Sequence, residues 1–128
     1  MDDVKRKLIA AARSVQGNFM LSPDGFCAGE VGAALLTEEG NIYTGICIDV
    51  ACGIGFCAEH AAIAEMLKHR QTHIVAAVAV TDTIVVPPCG RCREFMMQID
   101  RGNADADIIV SEERTVKLRE LLPFYWNE

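Results

Sequence analysis

Two short stretches hold the residues that can do chemistry: Cys57-Ala58-Glu59 and Pro88-Cys89-Gly90-Arg91-Cys92. Cys89 and Cys92 are three residues apart, so the first turn of a helix puts their sulfurs on one side. A helix start supplies free N–H groups and a partial positive charge, and both favour thiolate, the metal-binding form. A Cys-x-x-Cys pair alone reads as a redox dithiol as readily as half a metal site. Cys57 shifts that balance, because it opens another predicted helix and adds a third thiolate if the two helix starts lie side by side. Three protein ligands plus water is the arrangement of a catalytic zinc, whereas a structural zinc is usually closed by a fourth side chain. Glu59 lies on the same first turn as Cys57 but points elsewhere. It is placed to face the fourth zinc position, take a proton from an activated water and deliver it to a substrate nitrogen.

Charge adds a requirement. Zinc with three thiolates carries a formal charge of about -1, which opposes lowering the pKa of water. Two helix N-termini offset part of this, and Arg91, Arg93 and His60 are the candidates for offsetting more. The rival readings are a non-catalytic zinc protein closed by Cys47, Cys52 or His60, and a redox protein using Cys89 and Cys92. The redox reading leaves Cys57-x-Glu59 unexplained. Cys27, Cys47 and Cys52 follow no metal spacing of their own and read first as buried thiols.

These residues need elements to hold them. Val4, Leu8, Ala11, Ala12 and Val15 fall on one face of a predicted helix over 4–15, which Gly17 and Asn18 end. Ser22-Pro23-Asp24-Gly25 is a turn signal. Strands are predicted over Val31–Thr37 and Ile42–Ile48, joined by a hairpin at Glu38-Glu39-Gly40-Asn41. A Gly-rich approach, 52–56, leads into a central helix over Cys57–His69. The apolar run Ile74–Thr81 reads as a strand covered on both faces. After Pro87-Pro88 come a helix over Gly90–Arg101, a short strand over Ile108–Val110 and a final helix over Val116–Leu122, stopped by Pro123. The order α-β-β-α-β-α-β-α predicts a three-layer α-β-α sandwich with a mixed sheet.

The chain has 128 residues, 51% apolar, 23% charged, with a net charge of -6. That length predicts one domain over 1–128. The acidity argues against a surface that tracks phosphates, so no nucleic-acid partner is expected. Neither a membrane-length apolar run nor a signal-peptide core is visible, and the reading is a soluble, cytoplasmic protein. In a reducing compartment six cysteines point to metal or catalysis, not to disulfides.

With these motifs assembled, the chain resembles the cytidine deaminase family in its small tetrameric all-cysteine form, including its blasticidin-S deaminase branch. The ligand-x-Glu piece followed by Pro-Cys-x-x-Cys is a zinc-deaminase signature. The resemblance also covers Val31–Leu36, Tyr43-Thr44-Gly45, Pro88–Arg93 and Leu121-Leu122-Pro123. It implies a five-stranded sheet, one zinc per chain on Cys57, Cys89 and Cys92, and Glu59 as proton shuttle. It implies hydrolysis of the amine at C4 of a cytosine nucleoside, cytidine or deoxycytidine first and a blasticidin-S-type nucleoside as the alternative. It further implies a homotetramer whose sites borrow residues from neighbours, for which Phe124-Tyr125-Trp126 is a candidate, as it is for a packing anchor. The substrate contacts expected are Phe26, Cys47, Asp49 and Ala58. Here the sequence departs from the family: Cys47 and Asp49 stand where relatives place an Asn and a Glu on the ribose. Gly29 and Glu30 stand where relatives have a Phe and a Pro, with Phe26 as the substitute aromatic. His60 stands where many have Arg.

Overall fold

The computed structural model describes residues 2–127. In chain order the elements are α1 (Asp2–Val15), β1 (Phe19–Met20), β2 (Cys27–Thr37), β3 (Ile42–Asp49), α2 (Ala58–Lys68), β4 (Ile74–Val80), β5 (Val85–Val86), α3 (Gly90–Ile99), β6 (Asp107–Ile109) and β7 (Thr115–Lys117). Two 3-10 turns, Arg101–Asp105 and Leu118–Leu121, flank the last two strands. The full-length path of the sheet runs β3-β2-β4-β6-β7. The two-residue β1 pairs with the start of β2, and the two-residue β5 pairs with the end of β4. β4 and β6 are parallel, linked through α3, and every other pair is antiparallel. The sheet is therefore mixed, with five principal strands, as expected.

Strand alternation explains the three layers, since successive side chains point to opposite faces. On β4, Ala76, Val78 and Val80 join a core with Leu8 and Ala12 of α1. Ala77, between them, joins the other core with Ala62, Ile63 and Met66 of α2 and Cys92 and Met96 of α3. Ile108 and Ile109 of β6 divide in the same way. Thus α1 covers one face while α2 and α3 share the other, which brings their N-termini together. Buried Asn103 secures this arrangement: its Oδ1 accepts from Ile74 N–H at 2.7 Å, and its Nδ2 donates to Met96 O at 2.9 Å.

The structure corrects two sequence expectations. β2 begins at Cys27, not Val31, because a register shift between Ala28 and Gly32 absorbs Gly29 and Glu30. Gly29 has φ +86°, and a Cβ there would lie 2.2 Å from the Gly17 carbonyl oxygen. The helix expected over Val116–Leu122 is a strand followed by a single 3-10 turn. Thr115-Val116-Lys117 pairs with β6 instead, and Leu118 alone of that stretch is fully buried. The Glu120 carboxylate then accepts from Lys117 N–H at 2.8 Å.

Candidate metal centre and substrate cleft

Cys57 and Cys89 are the N-cap residues of α2 and α3. Both have extended backbones, and neither side chain makes a full capping hydrogen bond. N-caps are ordinarily Ser, Thr, Asp or Asn, whose oxygens cap the helix N–H groups. Here the sulfurs are left to face each other: Cys57 Sγ lies 3.3 Å from Cys89 Sγ, which lies 3.5 Å from Cys92 Sγ. All three sulfurs lie within 4.8 Å of one another. Tetrahedral zinc with Zn–S bonds of about 2.3 Å requires sulfurs about 3.8 Å apart. The trio therefore fits zinc after opening by a few tenths of an ångström.

Glu59 Oε1 and His60 Nδ1 each lie 3.5 Å from Cys92 Sγ. Among the described residues, neither joins the cluster of mutually close ligand atoms, nor do Cys47 and Cys52. The donor set thus has three thiols and no fourth side chain, which suits an open coordination position.

The electrostatics depend on the cation. Burial, then the neighbouring Cys89 thiol, pushes Cys57 up to about 11. Burial, then the Glu59 charge, raises Cys92. At Cys89 burial opposes ionisation, but the Cys92 N–H and the Cys57 thiol prevail and lower its pKa. A divalent cation among them inverts this balance, since a coordinating thiol is deprotonated outright. Glu59 is 5% exposed, and burial holds its carboxyl above the usual range, against its own N–H and the Cys92 thiol. The His60 ring stacks on Phe95 with centroids 4.5 Å apart. Burial, then the Arg91 charge, lowers its pKa, so it offers Cys92 a neutral ring.

A cleft of about 800 Å³ opens from this cluster. Cys57, Ala58, Glu59, Cys89 and Arg91 line it, and so do Phe26, Cys47 and Asp49. All four substrate contacts expected from sequence therefore reach one cavity. Cys47 Sγ accepts from Val31 N–H at 3.3 Å and lies 3.6 Å from Asp49 Oδ2. Ile48 and Phe56 bond reciprocally, N–H to O at 2.9 and 3.1 Å, and fix the loop into α2. Arg93 takes another place: its Nε donates to Pro88 O at 2.8 Å and its Nη1 to Leu121 O at 3.4 Å. Its hydrogen bonds go to carbonyls on either side of α3, not to a thiol. Tyr125 Oη and Trp126 Nε1 both donate to Glu94, at 2.7 and 3.1 Å, so the tail anchors on its own α3, while Phe124 stays fully exposed.

Sequence reasoning missed Glu30, Val86 and Pro87 in the cleft wall. It also missed Gly45, where a Cβ would meet Ala62 N at 2.4 Å and Ala58 O at 2.5 Å. That close approach seats α2, and with it Glu59, on the sheet. The signal was present in Tyr43-Thr44-Gly45, a glycine inside a strand.

Comparison with known proteins agrees with this geometry. Residues 7–104 match the family described as cytidine and deoxycytidylate deaminase zinc-binding region. A cytidine deaminase from Halalkalibacterium halodurans is 38% identical over 103 residues, covering 73% of this chain and 74% of that protein. One from Mycobacterium tuberculosis is 32% identical over 95 residues, covering 73% and 69%. The crystal structure of cytidine deaminase from Mycobacterium tuberculosis superposes with a TM-score of 0.80 at 27% identity, covering 97% of this chain and 98% of that one. With the motif matched, the fold shared and three thiols gathered beside a buried glutamate, the chain belongs to the cytidine and deoxycytidylate deaminase family.

Proposed function

We propose that this protein is a zinc-dependent hydrolase that converts a cytosine nucleoside, cytidine or deoxycytidine, to its uracil form with release of ammonia. One observation carries the reading: Cys57, Cys89 and Cys92 converge beside a cleft that Cys57 and Cys89 line, with the Glu59 carboxylate 3.5 Å from Cys92. In this reading the three thiolates hold one zinc, and Glu59 is the catalytic proton carrier. Zinc bound there supplies the Lewis acidity that makes water nucleophilic at neutral pH.

The chain's own residues do the rest. Burial raises the Glu59 carboxyl above the usual carboxylate range and so favours its protonated form, which suits a group that must act as base and then as acid. It carries two protons in turn, one from the attacking water to the ring nitrogen and a second from the oxygen then bonded to C4 to the departing amine. Oxygen is gained at C4, the C4–N bond breaks, and ammonia leaves. Ala58 opens α2, where backbone N–H groups lack helical partners, and its N–H is available to the base carbonyl. Phe26 offers the base an aromatic face, and Cys47 and Asp49 receive the sugar. The neutral His60 ring bonds Cys92, Arg91 offsets thiolate charge along the cleft wall, and Arg93 holds the Pro88 loop.

Association into a homotetramer is supported by exposed apolar side chains, notably Phe19, Met20, Ile54 and Phe124, which an assembly would cover. No described helix is long and apolar enough to cross a membrane. A cytoplasmic site of action is supported by six cysteines left as free thiols.

The test is ammonia release from zinc-replete protein with cytidine and deoxycytidine. Glu59→Gln is expected to keep zinc and bind substrate while turnover falls by roughly 10²–10⁴. Near-normal turnover in that variant overturns the assignment of Glu59.

A further inference from the structure

The peptide that leads into Cys89 has few means of its own to stay in place. Pro87 and Pro88 have no backbone N–H, so that loop can be tethered there only through its carbonyls. Cys89 opens α3 without a side-chain capping bond, its sulfur facing the other thiols instead. Arg93 supplies the missing tether. Its N–H donates to Cys89 O at 3.0 Å and its Nε to Pro88 O at 2.8 Å, so two successive carbonyls beside the first thiol of the pair hang on one residue. The far end of the same guanidinium, Nη1, donates to Leu121 O at 3.4 Å. Leu121 ends the 3-10 turn Leu118–Leu121, where carbonyls lack helical partners. The next residue of α3, Glu94, holds the chain that follows: its Oε2 accepts from Tyr125 Oη at 2.7 Å and from Trp126 Nε1 at 3.1 Å. Leu121, Leu122 and Tyr125 also pack on the core that contains Cys92 and Met96. The C-terminal segment is thus tied, by bonds within one chain, to the two residues directly after Cys92.

Resting on the reading of Cys57, Cys89 and Cys92 as a metal site, we propose that residues 118–126 act through Arg93 to hold Cys89 in its ligating position. Arg93 is a positioning residue. Its guanidinium reaches Pro88 and Leu121 at once, so the carbonyl before Cys89 is fixed against a turn whose Leu118 is fully buried, and not against α3 alone. The planar fork suits this task, because it presents several donors in fixed directions, whereas a lysine ammonium acts as a point charge. Its hydrogen bonds go to neutral carbonyls, so its direction matters here more than its charge. Tyr125 and Trp126, through Glu94, keep the segment beside α3 and so keep Leu121 O where Nη1 can reach it. Groups that orient a metal ligand from behind are worth roughly 10–100-fold in metal affinity. A change near the C-terminus is therefore read at the metal, far away along the chain.

Loss of cobalt(II) from the cobalt-loaded full chain to a chelator, followed by the thiolate-to-cobalt charge-transfer band, tests this without relying on turnover. Arg93→Met is expected to release cobalt roughly 10–100-fold faster, and Arg93→Lys to behave like Arg93→Met although it keeps the charge. Tyr125→Phe combined with Trp126→Phe is expected to speed release about two- to tenfold, the scale of one or two hydrogen bonds. Built into Arg93→Met, the same pair adds nothing further, because it acts through Arg93. Arg114→Met, at an exposed position before β7, keeps the unaltered rate. Unaltered release from Arg93→Met overturns the proposal, whether or not the thermal midpoint of the metal-free protein falls, since the role is then structural alone. Unaltered release from Arg93→Lys overturns it by making charge sufficient. Full additivity overturns it by separating the tail from the metal. Should Arg93→Met fail to fold, Arg93→Lys takes its place in both comparisons. Ammonia release from cytidine by the zinc-loaded, unaltered protein is measured separately. A thiolate–cobalt band without ammonia overturns the deaminase reading alone, and absence of the band overturns both.

Discussion

The two ends of the cleft are built differently. The thiol end stands on α2 and α3, where Ala58, Ala62, Ile63, Cys92 and Met96 are all fully buried. The other end draws on loops and a strand irregularity: Gly25 and Gly53 on its wall have positive φ, and Ile54, beside Gly53, is 73% exposed. Groups that must meet a reacting atom gain from fixed helices, whereas groups that choose among substrates sit where sequence can change without disturbing packing.

Several variants would break or sharpen that contrast. The largest effect is expected from Cys89→Ala, which removes a thiol shared by both close sulfur contacts. Zinc content should fall toward zero with activity, and unchanged stoichiometry by metal analysis would rule out ligation by Cys89.

Zinc uptake comes next. Cys57 and Cys92 hold their protons above the ordinary range without metal, so binding must displace protons. Protons compete with zinc below those pKa values, so apparent affinity climbs as pH rises through neutrality. The climb should approach about a hundredfold per pH unit if two protons leave. Titration in buffers of different ionisation enthalpy counts them, and pH-independent affinity would mean the thiols are already ionised.

Gly45→Ala tests the seat of the helices. The new methyl would meet backbone atoms of α2, which cannot rotate aside. A loss of about 1–3 kcal/mol in unfolding free energy is expected, together with faster zinc release to a chelator as the Cys57 turn shifts. Wild-type stability would show that α2 slides freely on β3.

The smallest effect belongs to the outer loop. Ile54→Ser should change stability by less than about 0.5 kcal/mol, and any kinetic effect should appear in KM. A fall in kcat equal to that of Glu59→Gln would show the two ends to be one rigid unit.

The chemistry was more legible in the sequence than its surroundings. Cys57-x-Glu59 and Cys89-x-x-Cys92 announced themselves because thiols and a carboxylate at helix starts have few other uses in that pattern. The apolar runs of β2, β3 and β4 gave the central sheet through their length. What stayed hidden depended on tertiary partners. Thr115–Lys117 is a strand only because β6 offers an edge, and Leu118, Leu121 and Leu122 also match a helical spacing. Arg93 read as a charge for the metal until Pro88 and Leu121 appeared as its acceptors. The link from Glu94 to Tyr125 and Trp126 spans a separation no local pattern can encode.

The spacing of the three sulfurs bears on how the protein survives metal shortage. Thiols at 3.3 and 3.5 Å are near enough for an oxidant to couple, and thiolate character at Cys89 favours that attack. Zinc held there would act for these side chains as a protecting group as well as a reagent, and loss of the metal would leave the trio open to oxidation.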